Sequence, residues 1–377
     1  ISEITTKYTQ IYNSDMETLG VNKPDHQPKA TEYIDEMVEL IQTLINKGHA
    51  YENDGHVLFH VLSYKQYGSL SKRNRDEQIA GSRVEVAPYK KDAADFVLWK
   101  PSSDDQPGWD SPWGFGRPGW HTECSAMSEK TLGLPFDIHG GGRDLVFPHH
   151  ENEIAQSCCA SASIDDPTSY ARYWMHNGFV TVDGEKMSKS LNNITLVKEL
   201  TDNYQGEVLR LALLSSHYRQ GLDWNEKIIH QAEKLLNKLY KILQDSSELL
   251  KNDNTSVDEE ILSAMSDDLN TPKAVSVLNS LAKEYLLLKG SEKTNCINKI
   301  KSSGQLLGIL QQDPEAWFLK DTSHMDVVLI ERLMAQRNKA KSLKNYSEAD
   351  SIRQQLITMG VEIFDTKDGS EWKPVSS

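Results

Sequence analysis

Long apolar runs are missing from this 377-residue chain. None approaches the roughly 20 consecutive apolar residues that a membrane-spanning helix requires. Cysteine is scarce: Cys124, Cys158, Cys159 and Cys296 are the whole complement. A disulfide framework in so long a chain needs more, so a reducing compartment, the cytoplasm, is expected. A basic excess is absent too. The formal net charge of −14 excludes a general nucleic-acid coat, but not a shaped RNA met by local basic patches, because the distribution of charge outweighs its total. No internal repeat, low-complexity segment or Ser–His–Asp set is evident. No basic-then-apolar leader follows Ile1, and a chain that begins with Ile is expected to be an excerpt whose start is absent. What is present, 38% hydrophobic and 25% charged residues, fits a soluble protein of two or three domains, each able to bury a core.

Residues 1–47 read as helices, with Tyr33, Met37, Leu40, Ile41, Leu44 and Ile45 at helical spacing and Gly48 suited to a C-terminal cap. Residues 48–112 turn to short strands such as Val57-Leu58-Phe59-His60-Val61 and Phe96-Val97-Leu98-Trp99, the pattern of a compact mixed insertion. Between 113 and 182, glycines, prolines and aromatics crowd together, and short strands alternate with helices as in an α/β nucleotide fold. Pro148, followed by His149-His150-Glu151-Asn152-Glu153, reads as a helix start with proline in the first turn. From 227 to 312 the character is helical, and Ile228, Ile229, Ala232, Leu235, Leu236, Leu239, Ile242 and Leu243 predict a bundle helix. A polar stretch at 245–258 and a break at 311–323 interrupt this region. Residues 324–377 hold a helix pair over 327–359 and a short extended tail ending near Trp372.

Three groups of residues carry chemistry. His149 and Glu153 are four apart on the expected helix and project from one face. With Cys124 they offer imidazole, carboxylate and thiolate, which suit Zn2+ in a site of about four ligands. Spacing alone leaves the plain alternative open, a small buried cysteine and a surface histidine, and His150 is a rival ligand. The second group is Lys186-Met187-Ser188-Lys189-Ser190, directly after Val180-Thr181-Val182-Asp183-Gly184-Glu185. Two lysines and two hydroxyls behind a turn can grip a triphosphate, where cations meeting the charge that builds on leaving phosphates lower the barrier. A solvated basic loop is the alternative. The third is His139-Gly140-Gly141-Gly142-Arg143-Asp144. Its glycines, Gly141 among them, let backbone approach a ligand, and Asp144 can accept from a sugar hydroxyl or an amine; plain glycine-rich turns are common. Cys158, Cys159 and Cys296 read as packing residues, and His121 as a support for the first group.

The blocks GRPGWHTECSAM (116–127), FDIHGGGRDLVFPHHENEIAQS (136–157) and YWMHNGFVTVDGEKMSKSLNN (173–193) occur in one order. In that order the chain resembles the cysteinyl-tRNA synthetases, and the likeness continues through DDLNTPKA (267–274) and the tail at 349–372. The resemblance implies a class I synthetase α/β fold: a Rossmann-like catalytic domain, incomplete at its N-terminus and carrying a mixed α/β insertion, then an α-helical bundle and a small C-terminal domain. In those terms 1–47 is the helical remainder of the first half of the catalytic domain and 48–112 the connective insertion. Residues 113–182 form its second half with the zinc site, and 183–226 the signature loop and tRNA stem-contact region. Residues 227–312 are the anticodon-binding bundle and 324–377 a small anticodon-recognition domain.

The activity implied is ATP-dependent activation of L-cysteine to cysteinyl-adenylate and its transfer to the 3′ end of tRNA(Cys) in translation. The resemblance also implies a cytoplasmic monomer with no membrane partner, one Zn2+ per chain, and Mg2+ with ATP. Metal ligands fall on Cys124, His149 and Glu153, favouring His149 over His150, with a fourth, cysteine ligand from the absent N-terminal segment. The substrate sulfur binds that metal as a thiolate, which separates cysteine from serine. Trp120 falls on an aromatic beside the bound amino acid, Lys186 and Lys189 on the catalytic signature with Lys189 on ATP, and His139, Gly141 and Asp144 on the adenylate pocket. A His-containing tetrapeptide of the family is not in this sequence. The 377-residue chain by itself is therefore expected to bind zinc poorly and to show only background cysteine-dependent ATP–pyrophosphate exchange.

Two alternatives differ in what they lack. A ligase joining cysteine to an amino sugar shares the metal site and signature loop but has no use for the bundle and tail. A non-catalytic RNA-binding relic has no use for Lys186 and Lys189. For tRNA, the helix with Arg332, Arg337, Lys339, Lys341 and Lys344 is a candidate basic face, as is the tail at Trp372 and Lys373, where the indole can stack on an unpaired base. A solvated helix and a packed tryptophan are the plain reading.

Overall fold

The computed structural model describes residues 2–74, 76–77, 87–161, 165–251, 256–319, 327–359, 361–366 and 369–374. Its contacts gather into two units, Ile1–Asn203 with Ser216–Glu226, and Tyr204–Ser215 with Lys227–Ser377.

The first unit opens with an exposed helix, α1 (Ser2–Thr18). In α2 (Ile34–Asn46), Met37, Leu40, Ile41 and Leu44 bury along one face, and Asp35 and Glu36 occupy the first turn, where carboxylates favour the helix dipole. Residues of the expected insertion supply β1 (Ala50–Asn53), β2 (His56–Phe59) and β3 (Phe96–Pro101) of an antiparallel sheet, and β4 (Gly116–Pro118), just beyond its expected end, completes it, paired in that order. Next come α3 (Trp120–Leu132), β5 (Phe136–Gly142), α4 (Glu151–Ala160) and β6 (Ala171–Asn177). Strands β5 and β6 are parallel, with Phe136 opposite Ala171 and Gly142 opposite Asn177, so α4 is the crossover helix that a parallel pair demands. The expected α/β alternation is there. Strand β7 (Val180–Val182) then pairs antiparallel with β8 (Glu185–Lys186) and parallel with β9 (Leu222–Trp224), and a short helix, α5 (Val197–Thr201), lies between them in sequence.

The core of this unit joins Met37 and Leu44 of α2, Phe59 of β2, Trp99 of β3, and Ile154 and Cys158 of α4. Helix α4 is buried on every side, polar residues included, and buried polar groups are costly unless bonded. Gln156 donates to Thr122 Oγ1 at 3.1 Å and accepts from Ser125 Oγ at 2.6 Å, both on α3. Glu151 accepts from the backbone N–H of Gly68 at 2.9 Å and of Ser71 at 2.8 Å. Asn152 accepts from Tyr67 Oη at 2.5 Å. Residues Tyr67, Gly68 and Ser71 are thus tied to α4 by hydrogen bonds.

In the second unit, α6 (Gly206–Leu214) brings residues 204–215 of the expected 183–226 region in among α7 (Glu226–Gln244), α8 (Glu259–Ser266), α9 (Thr271–Glu284) and α10 (Gly290–Leu306). Glu207 explains why. Its Oε2 accepts from Tyr240 Oη at 2.8 Å and from Leu310 N at 2.9 Å, and its Oε1 from Gln311 N at 3.1 Å. Glu207→Ala strips three donors of a charged acceptor, so a loss of about 3 kcal/mol is expected. Urea denaturation reads it, and hydrogen exchange reads lost protection at the Leu310 and Gln311 amides.

The stretch 311–323, expected as a break, contains a helix, α11 (Pro314–Leu319). Asp313 caps it by accepting from Glu315 N at 2.9 Å and Ala316 N at 3.0 Å, with Pro314 at its first position. Trp317 fixes it, stacked on Tyr240 at 4.1 Å and donating to Asn237 Oδ1 at 2.7 Å. The C-terminal pair is α12 (Val327–Ser342) and α13 (Tyr346–Thr358), around Ile330, Leu333, Met334, Ile352 and Leu356. The tail is an antiparallel hairpin, β10 (Val361–Thr366) with β11 (Gly369–Pro374). No helix among the described residues is long and apolar enough to cross a membrane.

Candidate metal centre and signature loop

Side-by-side packing of α3 and α4 brings together residues far apart in the chain. Cys124 leaves α3, and His149 and Glu153 sit one turn apart where the chain enters α4. Ligand atoms of these three lie within 4.8 Å of one another. His149 Nε2 is 2.7 Å from Glu153 Oε1, yet no donor is aligned on that oxygen, which is fully buried. Two groups this close without a directed hydrogen bond suit a shared cation, and the donor set, one sulfur, one nitrogen and one oxygen, suits zinc. The residues present fit the metal.

The surroundings hold these three side chains in place. Glu153 Oε2 accepts from Tyr170 Oη at 3.1 Å and lies 3.1 Å from His139 Nε2. His149 Nδ1 is 2.7 Å from His121 Nδ1, which turns Nε2 toward the carboxylate, so His121 supports the group as expected. Burial pushes the Cys124 thiol up to about 12, with Glu153 and Glu123 adding to it. A cation must therefore displace its proton to make a ligand of it. Burial pushes Glu153 up as well, but the imidazoles of His139 and His149 beside it outweigh that and hold the carboxyl at about 2. Burial takes His121 down to about 4, helped by His149.

His139, His150 and Glu153 form a second group of ligand atoms within 4.8 Å, so His150 stays a rival on distance. It differs in having no sulfur partner, and His150 Nδ1 is engaged by His176 Nε2 at 2.8 Å. Burial drives His150 down to about 3 against the pull of Glu153, and His139, His176 and His149 add to the drop. Gly141 faces this ring. A Cβ there would meet His150 Cε1 at 2.8 Å, so the glycine is needed for close packing whether or not a ligand approaches. Trp120 stacks on His149 at 4.1 Å and remains 58% exposed, a free aromatic face at the rim of the centre. Asp144 is exposed on the turn after β5, outside these contacts. Cys158, Cys159 and Cys296 are buried packing residues.

The signature lysines follow β7. The hairpin into them turns at Asp183 and Gly184, both at positive φ (49° and 80°). Asp223 clamps its base, accepting from Gly184 N at 2.6 Å and Thr181 Oγ1 at 2.9 Å; these bonds, the backbone one first, hold its carboxyl below the usual range. Asn193 spans the loop itself, accepting from Ser188 N at 2.8 Å and donating to Lys186 O at 3.2 Å. Lys186 is exposed, and the side chain of Lys189 lies outside the described residues. Sequence reasoning passed over Asn193, Asp223, Glu151 and Tyr170. Asn193 and Glu151 stand inside the quoted blocks, whereas Tyr170 and Asp223 carry no local signal.

One expected contact of the C-terminal region is corrected. Arg337 is not on an outer basic face of α12: it is 5% exposed, and its Nη1 donates to Ser370 Oγ at 2.6 Å, so it fastens the hairpin to the helix. Trp372 packs against the core of that pair and donates to Glu331 Oε1 at 2.8 Å, the plain reading of that residue.

A family model described as the tRNA synthetases class I (C) catalytic domain matches residues 1–234, and one described as the DALR domain matches 260–311. The cysteine–tRNA ligase of Parvibaculum lavamentivorans is 53% identical over 380 residues, covering 100% of this chain and 80% of that protein. The chain belongs to the cysteine–tRNA ligase family. The cysteine–tRNA ligase of Xanthomonas euvesicatoria pv. vesicatoria is 49% identical over 391 residues, with 99% of this chain and 81% of that protein covered. Among solved structures, Mycobacterium tuberculosis methionyl-tRNA synthetase in complex with methionyl-adenylate superposes with a TM-score of 0.54 at 14% identity, over 81% of this chain and 77% of that one, a likeness of fold. The chain has the class I synthetase fold.

Proposed function

We propose that Cys124, His149 and Glu153 hold a zinc ion that selects L-cysteine by its sulfur, and that Lys186 and Lys189 hold the triphosphate of ATP in the activation step. Membership of the family makes the protein an aminoacyl-tRNA synthetase, a cysteine–tRNA ligase, with cysteine, ATP and tRNA as its reactants. The observation that carries the metal reading is the buried Glu153 Oε1, 2.7 Å from His149 Nε2 and without an aligned donor. A zinc ion there supplies a soft Lewis acid that takes a thiolate in preference to an alcohol, a choice that a plain pocket makes weakly.

The chain's own residues do the remainder. Trp120 offers its exposed face to the amino acid beside His149. His139, Gly141 and Asp144 line the adenylate side, where Asp144 accepts from a hydroxyl or amine. The amino-acid carboxylate attacks the α-phosphate, pyrophosphate leaves, and Lys186 and Lys189 meet the charge on it, with Mg2+ accompanying ATP. The acyl group then passes to the 3′-terminal adenosine of tRNA(Cys). A helical second unit bearing the DALR match favours tRNA over an amino sugar as acceptor. A cytoplasmic monomer completes this reading.

Amino-acid-dependent ATP–pyrophosphate exchange on the complete gene product tests it, with cysteine and with serine, before and after chelation. Exchange is expected with cysteine only, lost on chelation and restored by Zn2+. Cysteine exchange that persists in metal-stripped protein would overturn the zinc reading. The loop makes a separate prediction. Asn193→Ala removes both bonds across the signature, each worth about 1 kcal/mol, so kcat for exchange falls roughly tenfold or more while KM for cysteine is unchanged. Steady-state kinetics with each substrate varied in turn check this.

A further inference from the structure

We propose that Tyr170 is a positioning residue for Glu153: its hydroxyl holds one carboxylate oxygen, Oε2, so that the other, Oε1, is the one presented to a metal ion. This rests on the reading of Cys124, His149 and Glu153 as the metal ligands.

The two oxygens of Glu153 are treated differently by their surroundings. Oε2 receives Tyr170 Oη and faces His139 Nε2, each at 3.1 Å. Oε1 is buried with no donor aligned on it, and is the one beside His149. A carboxylate with both oxygens free can chelate a cation through both; with one tied, it binds through the other and takes one coordination position instead of two. That economy keeps a position open for a substrate atom, which a recognition site needs and a closed structural site lacks.

Tyr170 is suited to the task because its place is set by the core. It is fully buried and follows the short turn Pro167–Ser169, which Asp166 caps by accepting from Thr168 N. Its ring meets Phe136, the first residue of β5, edge-on at 5.0 Å. The start of the parallel sheet thereby fixes where the hydroxyl points, before any ligand arrives. His139 alone is a poorer holder, since it also faces His150 and Trp174 at 4.7 and 4.8 Å and belongs to the second ligand group.

Tyr170→Phe removes the hydroxyl and keeps the ring. In the complete gene product, chelator competition is expected to read Zn2+ affinity lowered by about 10–100-fold, the usual cost of losing an outer partner of a metal ligand. With Co2+ as probe, the visible d–d bands are expected to weaken as the freed carboxylate adds a second bond and raises the coordination number. Tyr64→Phe, which removes another buried phenol hydroxyl, should change neither. Cys124→Ala and His149→Ala separate the two levels of the argument. If they leave metal uptake intact, the reading of the site fails. If they abolish it while Tyr170→Phe keeps parental affinity, the role of Tyr170 alone is overturned. Weakened affinity with an unchanged cobalt spectrum overturns it as well, since loss of packing gives that result.

Discussion

Cys124→Ser in the complete gene product should empty the metal site and stop cysteine activation. Serine occupies almost the same volume on α3, so the packing of α3 on α4 survives and the effect is chemical. The alcohol is a hard, weakly acidic donor where the site needs a soft anion. The cysteine at this position sits beside Glu153 in a setting that pushes its thiol up to about 12, so it becomes a ligand only when a cation displaces the proton. An alcohol starts from a far higher pKa and is not deprotonated by the same ion. Metal content by mass spectrometry under native conditions should fall from one per chain to a small fraction. Cysteine-dependent exchange should fall by well over the roughly hundredfold that loss of a mere outer partner costs. Circular dichroism and the urea midpoint of the metal-free protein should match the parent, which separates this outcome from misfolding.

Lys189→Ala should lower kcat for ATP–pyrophosphate exchange by roughly 10²–10³-fold, the size of effect seen when one preorganised donor to a developing charge is removed. KM for ATP should move little, because the charge in question grows as pyrophosphate separates and is smaller in bound ATP. Lys189→Arg keeps the charge but not its reach, so it should recover only part of the rate. The backbone around it is prepared in advance: the Asp183–Gly184 turn is clamped by Asp223, and Lys186 and Ser188 are bridged by Asn193. Rapid-quench measurement of adenylate formation distinguishes a slowed chemical step from slowed product release.

How much of this was legible beforehand depends on the kind of residue. The amphipathic helices were plain, because Met37, Leu40, Ile41 and Leu44 repeat at the spacing a buried stripe requires. His149 and Glu153 could be read as sharing a face, one turn apart beside a proline-started helix, but spacing alone left both the metal and the choice between His149 and His150 open. That Cys124 joins them depends on how α3 packs against α4 through Gln156, Thr122 and Ser125, which no local pattern states. Arg337 looked like a surface cation in a basic run, yet it folds inward to Ser370, 33 residues away. The helix α11 was passed over because six residues carry too little periodicity, although Asp313-Pro314 is a readable start signal and Trp317 needed only Tyr240 to stack on. Tyr170 has no motif around it. Its importance comes from a single oxygen of Glu153, and tertiary structure alone puts the two together.

The central claim is that a sulfur, a nitrogen and an oxygen from distant parts of the chain converge on an ion that reads the substrate's own sulfur. Zinc K-edge X-ray absorption of the complete gene product, recorded with and without cysteine, addresses it most directly. Addition of cysteine should raise the number of sulfur neighbours by one at about 2.3 Å, and serine at the same concentration should leave the spectrum unaltered. A spectrum indifferent to cysteine, or a first shell without nitrogen and oxygen beside sulfur, would contradict the account.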